Sequence, residues 1–212
     1  MPFESERVVV CDHPLIQHKL TLMRKKEAST KEFRELVREV AMLETYEATR
    51  NLPLGYVDIE TPICAMHAPQ VERQMVVVPI LRAGLGMMEG TLDVMPAAHV
   101  GHLGMQRNEE TFEPEAYFDR MPKDVAERRV LVVDPMLATG GSAIAAIKYL
   151  REAGVKDLTL MVMVAAPVGL EAVLAADADV TIYTCSVDEK LNEHAYIVPG
   201  LGDAGDRIFG TL

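Results

Sequence analysis

The sequence lacks any run of about 18 or more apolar residues, so it predicts no membrane-spanning helix. The apolar run near its N-terminus is too short for the hydrophobic region of a secretory signal. Its three cysteines, Cys11, Cys64 and Cys185, are scattered and never stand in Cys-x-x-Cys spacing. Such a set argues against a disulfide framework or a cysteine-based zinc site, and it predicts reduced thiols in the cytoplasm.

Positive charge is also scarce, since 21 lysines and arginines stand against 32 acidic residues and give a net charge of −11. This balance disfavours a broad nucleic-acid surface, although it allows one small basic pocket. The cluster Met23-Arg-Lys-Lys26 is interpreted as a solvated segment beside a helix. No linker, low-complexity tract or internal repeat divides the 212 residues, of which 49% are hydrophobic. The length fits one large domain, or one domain with a small appendage, and the composition allows a sizeable core.

Strand and helix signals alternate along most of the chain. Ser29 and Glu32 have the spacing of a capping box and predict a helix over about 30–49. Apolar patterns predict strands at 75–80, 97–105, 116–120, 130–133, 158–164 and 180–185, and helices at 84–95, 142–153 and 167–176. The alternation favours an α/β domain with a mainly parallel sheet flanked by helices. Ligands of such sheets bind beyond the carboxyl ends of the strands.

The segment 134–142, DPMLATGGS, follows one of these predicted strands and opens a predicted helix. Gly140 and Gly141 allow backbone N–H groups to approach a ligand closely, and the helix adds its positive N-terminal end. The hydroxyls of nearby Thr139 and Ser142 are further donors, so the loop can hold a phosphate without a lysine. Asp134 suits sugar hydroxyls or a hydrated metal ion instead. The alternative is a plain helix cap after a strand.

Two other glycine-rich stretches bear on nucleotide binding. In 79–86, PILRAGLG, Arg82 stands on a tight turn after a strand and suits a diphosphate, although it could also be an ordinary surface arginine. The stretch 200–205, GLGDAG, matches Gly-x-Gly-x-x-Gly. The few residues that follow it cannot form a crossover helix and a strand, so the match does not indicate a dinucleotide-binding fold.

These segments together resemble a known family. VLVVDPMLATGGS resembles the phosphoribosyl-diphosphate (PRPP) loop of type I phosphoribosyltransferases, and VVVPILRAGLGM resembles their pyrophosphate loop. Residues 192–211, NEHAYIVPGLGDAGDRIFGT, resemble the uracil-binding end of the uracil phosphoribosyltransferase family, and HPLIQHKLTLMR is similar to that family's N-terminal part. Most type I members carry two adjacent acids before the small-residue loop. Here the second position is Pro135, which the uracil subfamily shares.

The resemblance implies a type I phosphoribosyltransferase fold with a β-hairpin arm and a C-terminal base-binding loop region. It implies a single domain over 1–212, with an N-terminal helical region at about 1–55, a core at about 56–190 and a base-binding segment at about 191–212. The implied reaction converts uracil and PRPP to UMP and diphosphate. Mg²⁺ would arrive with PRPP, with no direct protein ligand assigned.

The resemblance also implies the residues that bind each substrate. The PRPP-binding residues would be Arg82, Arg107, Asp134, Pro135, Met136, Leu137, Ala138, Thr139, Gly140, Gly141, Ser142 and Asp203. The uracil-binding residues would be Ile197, Gly202, Asp203 and Ala204, with Tyr196 supporting the base pocket. Arg107 lies in the polar stretch 106–111, which predicts an exposed hairpin or loop that closes over the site.

The family further implies a cytoplasmic homodimer or homotetramer, GTP as a candidate effector, and no nucleic-acid or membrane partner. Two other functions remain open. A regulatory protein with the same fold would bind RNA and would need a basic face, against a net charge of −11. A nucleotide-binding module without catalysis would not need Arg82, Arg107 and Asp203. RNA binding and uracil-dependent diphosphate release distinguish the three.

Overall fold

The computed structural model describes residues 3, 5–107 and 114–211. This part of the chain contains helices on both faces of a central sheet. The helices are α1 (Pro14–Arg24), α2 (Thr30–Ala48), α3 (Gly84–Val94), α4 (Gly141–Glu152), α5 (Pro167–Ala176) and α6 (Ala204–Phe209). None of the helices described is long and apolar enough to cross a membrane.

The strands form one large sheet and two small ones. The strands are β1 (Val8–Val10), β2 (Leu54–Glu60), β3 (Ala65–Val71), β4 (Val76–Leu81), β5 (His99–Val100), β6 (His102–Arg107), β7 (Pro114–Arg120), β8 (Val130–Val133), β9 (Met136–Leu137), β10 (Leu158–Ala165), β11 (Thr181–Val187), β12 (Lys190–Leu191) and β13 (Ile197–Val198). The large sheet has the order β1-β11-β10-β8-β4-β6-β7, with β5 beside β4 and β9 beside β10. Every pair in it is parallel except β6–β7. The predicted mainly parallel sheet is confirmed.

The sheet is buried on both faces because its central strands are continuously apolar. All eight residues of β10 are buried, as are all four of β8. Alternate side chains of these strands enter two core clusters. One cluster packs under α1, α2, α3 and α6, and the other packs under α4 and α5. Helices therefore pack on both faces of β4 and β8, and the predicted loops at 81–86 and 134–142 follow the carboxyl ends of these strands.

The strand order reverses between β4 and β8. After β4 the chain continues to β6 on one side, and it returns to β8 on the other side before reaching β10 and β11. A crevice forms outside the carboxyl ends of the strands at such a reversal. The loops that carry Arg82 and Asp134 leave these two strands, so the topology brings together two segments that the sequence analysis singled out.

The N-terminal part of the chain differs from the expected helical region. β1 pairs with β11 as an edge strand of the main sheet, and β2 and β3 form a separate antiparallel hairpin. Neither was predicted. Arg24, expected to be solvated, is mostly buried and forms an ion pair with Asp188, so that interpretation was wrong for this residue. The division of the chain into three regions remains a prediction.

The expected hairpin at 106–111 falls largely on residues 108–113, which lie outside the described part of the chain. On either side of them, β6 and β7 form an antiparallel ladder in which Arg107 is opposite Pro114. The backbone of Arg107 therefore lies at the end of a strand pair that leads into this segment. The role of Arg107 as a closing residue stays a prediction.

One carboxyl group in the core is buried without a hydrogen-bond partner in the described part of the chain. Glu44 of α2 is fully buried, and among the described residues neither of its carboxyl oxygens has a hydrogen-bond partner. Burial raises the pKa of Glu44 well above its usual range, and the nearby thiol of Cys185 opposes this only in part. The folded protein therefore favours the neutral form of this side chain more strongly than the unfolded chain does.

A Glu44→Leu substitution should stabilise the protein because it removes an unpaired polar group from the core. We expect a gain of about 1–3 kcal/mol near pH 8. Because the pKa of Glu44 is raised in the folded protein, the free-energy cost of this group to folding begins as pH rises above its unfolded pKa and increases up to its folded pKa. The stability gained by the substitution should therefore be smaller at acidic pH. Urea unfolding at an acidic pH and near pH 8 measures this difference. Glu35→Leu, at an exposed site on the same helix, is the control. A loss of stability near pH 8 in the Glu44 variant would contradict the prediction.

Candidate functional site

A cavity of about 380 Å³ opens at the carboxyl edge of the main sheet. It lies between the loops that follow β4 and β8 and the C-terminal segment around β13 and α6. The residues that line it are Ala83, Asp134, Met136, Ala138, His194, Ala195, Tyr196, Ile197, Gly202, Asp203, Ala204 and Gly205. Three segments that are far apart in the sequence thus meet at one site.

The loop 134–142 forms one wall of this cavity. Of its residues, Asp134, Met136 and Ala138 line the cavity. Pro135 and Leu137 are buried, and Leu137 belongs to the core under α4 and α5. The remaining residues continue to the N-terminus of α4, where Gly140 is the N-cap with a left-handed φ of +89°. The side chains of Thr139 and Ser142 are exposed there, so their hydroxyls are accessible to a ligand.

Asp134 is the acid at the base of this wall. It directly follows β8, and its Oδ1 accepts a long hydrogen bond of 3.5 Å from the N–H of Met136. Burial raises the pKa of Asp134 to about 7, while the Met136 N–H acts in the opposite direction. At this pKa the carboxyl group is near the midpoint of its titration at neutral pH. A ligand that donates hydrogen bonds to it would favour the ionised form.

Arg82 follows β4 on the other side of the crevice. Its side chain is 58% exposed, and its guanidinium lies 3.6 Å from an oxygen of Asp206. It also lies over the ring of Phe209, with 5.7 Å between Cζ and the ring centroid. An exposed ion pair of this length contributes little free energy. Arg82 can therefore turn toward an anionic ligand at low cost.

The C-terminal segment forms the wall opposite the loop 134–142. Ile197 is almost fully buried, whereas Tyr196 is 47% exposed at the mouth of the cavity. Gly202 has a left-handed φ of +79°. Asp203 is the N-cap of α6, and its Oδ1 accepts a hydrogen bond of 2.9 Å from the N–H of Asp206. All four residues predicted to bind the base, Ile197, Gly202, Asp203 and Ala204, line the same cavity.

Sequence reasoning missed two small residues of the lining, Ala83 and Ala195, and it singled out Gly205 only as part of the glycine-rich stretch 200–205. Ala195 has a positive φ of 63°. It lies in a turn made by Asn192, whose Oδ1 accepts hydrogen bonds from the N–H groups of His194 and Tyr196. Asparagine is a typical residue at the start of such a turn. That signal was present in the sequence, but alanine and glycine carry no reactive group that draws attention to them.

The described residues contain no cluster of three or more His, Cys, Asp or Glu side chains that could enclose a metal ion. Two carboxylates, Asp134 and Asp203, line the cavity. This donor set fits a cation that is coordinated mainly by a ligand and by water, as Mg²⁺ is when it binds with phosphate groups. It does not fit a metal site built from protein ligands alone.

The chain is similar to known proteins over nearly all of its length. A family model described as uracil phosphoribosyltransferase matches residues 9–211. A uracil phosphoribosyltransferase of Clostridium novyi is 57% identical over 206 residues, which cover 97% of this chain and 99% of that protein. One of Agathobacter rectalis is 58% identical over the same shares of both chains.

Solved structures agree with these matches. The AQ2163 protein of Aquifex aeolicus superposes with a TM-score of 0.90 at 38% identity, covering 95% of this chain and 97% of that one. A hypoxanthine phosphoribosyltransferase of Staphylococcus aureus superposes with a TM-score of 0.50 at 13% identity, covering 76% of each chain. The second likeness concerns the fold alone.

Proposed function

The chain belongs to the uracil phosphoribosyltransferase family, and from this premise we propose how its residues carry out the transfer. It has a type I phosphoribosyltransferase fold, and it is the enzyme that converts uracil and PRPP to UMP and diphosphate. The observation that carries the residue assignments is the cavity in which the loop 134–142 faces the segment 194–205. One wall has the donors for a phosphorylated sugar, and the other has backbone groups for a small planar base.

PRPP binds along the loop 134–142 in this proposal. The N-terminus of α4 and the exposed hydroxyls of Thr139 and Ser142 hold the 5-phosphate, because the first N–H groups of a helix are free and its dipole favours an anion. Asp134 accepts hydrogen bonds from the ribose hydroxyls. Arg82 releases Asp206 and binds the diphosphate, and Arg107 approaches the diphosphate from the end of β6.

Uracil binds against the opposite wall. Its two carbonyl oxygens and its N3–H group match backbone N–H and C=O groups of the segment around Ile197, Gly202 and Ala204. Tyr196 covers one face of the base from the mouth of the cavity. Cytosine has an amino group in place of one carbonyl, so it would leave buried backbone groups without partners. Sites of this kind discriminate strongly against such analogues.

The reaction is a displacement at C1 of the ribose. The bond between C1 and N1 of uracil forms as the bond from C1 to the diphosphate oxygen breaks. The N1 proton of uracil passes to the departing diphosphate or to water. The protein contributes alignment of the two substrates, neutralisation of the leaving diphosphate by arginines, and exclusion of water. Mg²⁺ carried by PRPP would supply positive charge at the leaving group, and Asp134 and Asp203 are the side chains of the cavity that would hold it.

Release of diphosphate tests this function directly. We expect release that depends on both PRPP and uracil, with cytosine used at least about 100-fold less well in kcat/KM. RNA binding measured on filters is the second arm, because a regulatory RNA-binding protein would bind RNA and release no diphosphate. Binding of PRPP without uracil-dependent release would indicate a nucleotide-binding module instead.

The assembly state and effector belong to the same proposal. The hairpin β2–β3 exposes apolar side chains of Leu54, Tyr56, Ile59 and Ile63, and a surface of this kind suits contact with a second copy of the chain. We therefore expect a homodimer or homotetramer that Ile63→Asp and Tyr56→Asp together weaken in sedimentation velocity. GTP is proposed as an activator, and activity with and without GTP at low PRPP tests it. The cytoplasmic location stays a prediction.

A further inference from the structure

The turn at residues 197–202, which contains residues proposed to bind the base, is hydrogen-bonded to one ion pair. Arg24 of α1 and Asp188 form a bidentate pair, with 2.7 Å for each of the two hydrogen bonds. The Asp188 side chain is 3% exposed and the Arg24 side chain is 23% exposed. Both members also bind Gly200. Nη1 of Arg24 donates to the Gly200 carbonyl at 2.7 Å, and the Gly200 N–H donates to Oδ2 of Asp188 at 2.8 Å.

The backbone at Gly200 has little freedom to adopt another conformation. Its φ is +62°, and a Cβ atom there would lie 2.1 Å from the carbonyl oxygen of Ile197. Because the ion pair binds both the N–H and the C=O of this residue, it fixes the orientation of the turn between Ile197 and Gly202. These are the residues at the two ends of the turn that line the main cavity.

Neighbouring contacts strengthen the same arrangement. Ser186 donates its hydroxyl to Oδ1 of Asp188 at 2.7 Å. Nη1 of Arg207 donates to the carbonyls of Leu201 and Met23, and its guanidinium lies 4.1 Å from the ring centroid of Phe33. The carbonyls of Gly200 and Leu201 therefore both accept hydrogen bonds from arginines that do not line the main cavity. Burial acts to raise the pKa of Asp188, but the hydrogen bonds from Arg24, Ser186 and Gly200 outweigh it and the pKa lies below its usual range.

Neither Arg24 nor Asp188 is among the residues that line the main cavity. Arg24 instead lines a second cavity of about 460 Å³ behind the turn, where Arg207 and Gly202 are also found. Gly202 thus separates the two cavities. Among the described residues, the hydrogen bonds to Gly200 connect the ion pair to the backbone of residues 197–202, whose two end residues line the main cavity.

We propose that Arg24 and Asp188 are positioning residues that hold the backbone from Ile197 to Gly202 in the geometry that recognises uracil. This rests on the proposed function, in which that backbone binds the base. Loss of the pair leaves the PRPP loop intact, because that loop lies on the opposite wall of the cavity. The effect should therefore fall on uracil and not on PRPP.

The experiment compares this ion pair with a matched one. Arg151 and Asp177 form a similar bidentate pair whose side chains are 22% and 12% exposed, and Arg151 also binds the backbone carbonyls of Val155 and Lys156. Arg151 lies in the last turn of α4, whereas the cavity is at its first turn. The variants are Arg24→Met, Arg24→Lys and Asp188→Asn on one side, and Arg151→Met and Asp177→Asn on the other.

We expect Arg24→Met and Asp188→Asn to raise KM for uracil by about tenfold or more, a loss of about 1.4 kcal/mol or more. The Kd for PRPP, measured by calorimetry, should change by less than about threefold. This is well below the tenfold change that corresponds to about 1.4 kcal/mol. Arg24→Lys should recover part of the loss, since it keeps one charged donor. The variants at Arg151 and Asp177 should lower Tm comparably but leave KM for uracil unchanged.

Two results would overturn the inference. One is an unchanged KM for uracil in folded Arg24→Lys and Asp188→Asn, which retain side-chain size and test the pair even if Arg24→Met does not fold. The other is an equal rise in KM for uracil in the Arg151 variants, which would indicate general destabilisation. If uracil does not bind at the proposed base site, the Gly202→Val variant would use uracil normally. That result distinguishes failure of the proposed function from failure of this inference.

Discussion

An Asp134→Asn variant should lose about 100-fold or more in kcat/KM for PRPP and yet become more stable near pH 8. The loss follows from the proposed role of Asp134, because a carboxylate that accepts two ribose hydroxyls contributes about 1.5–3 kcal/mol per hydrogen bond. The stability gain follows from burial, which raises the pKa of Asp134 to about 7. The amide cannot ionise, so the variant escapes the cost of placing a charge at this site.

The pH dependence of that gain has a definite sign. The unfolded chain has an aspartate pKa of about 3.9, so between about pH 4 and pH 7 the folded state binds more protons and loses stability as pH rises. The gain from Asn should therefore be small at acidic pH and reach on the order of 2–4 kcal/mol near pH 8. Urea unfolding across this window measures it, with the exposed Asp179→Asn as control. A gain that does not change with pH would contradict the prediction.

A Gly202→Val variant should lose about 100-fold or more in kcat/KM for uracil while it still binds PRPP. Gly202 lines the cavity and has a φ of +79°, a conformation that costs a residue with a side chain about 1–2 kcal/mol. A Cβ atom at this position would lie 3.6 Å from Cδ of Arg207, which lines the cavity behind the turn. Valine therefore acts mainly by shifting the strained backbone that recognises the base, whereas the loop 134–142 is unchanged.

The control for this variant is Gly154→Val. Gly154 also has a left-handed φ, of +90°, and its added Cβ would contact only Ala126 at 3.2 Å. It follows α4 at the end remote from the cavity. The two variants should lose similar stability, but only Gly202→Val should affect uracil. Steady-state kinetics with uracil and calorimetry with PRPP separate these effects. Normal uracil kinetics in folded Gly202→Val would show that the base binds elsewhere.

The sequence predicted elements whose physical cause is local. The capping box of Ser29 and Glu32 is present at the start of α2, and strands β4, β8 and β10 were recognisable because burial on both faces requires continuous apolar runs. The hairpin β2–β3 was not recognisable, since most of its residues are exposed and no apolar period marks them. β1 is only three residues long, and its pairing with β11 is set by the tertiary fold.

The same distinction applies to the site. The motifs predicted some residues that line the cavity, namely Asp134, Met136, Ala138, Tyr196, Ile197, Gly202, Asp203 and Ala204. Arg82, Pro135, Leu137 and residues 139–142 are not in that lining, and the binding roles of all these residues stay predictions. The ion pair of Arg24 and Asp188 joins residues 164 positions apart, and no local pattern relates them. The meeting of Ala83 with Gly205 likewise depends on the strand order. The tertiary fold determines which arginine and which aspartate meet to form a buried ion pair.

The contacts that hold the turn at 197–202 join residues that are far apart in the sequence. Arg24 reaches Gly200 across 176 positions, and Arg207 reaches the Met23 carbonyl across 184. During synthesis the N-terminal residues leave the ribosome first, and contacts of such long sequence separation form late. The nascent chain therefore has α1 and the loop 134–142 before it has the segment proposed to bind the base. If that proposal holds, the capacity to use uracil appears only once α6 has been synthesised and has docked onto α1.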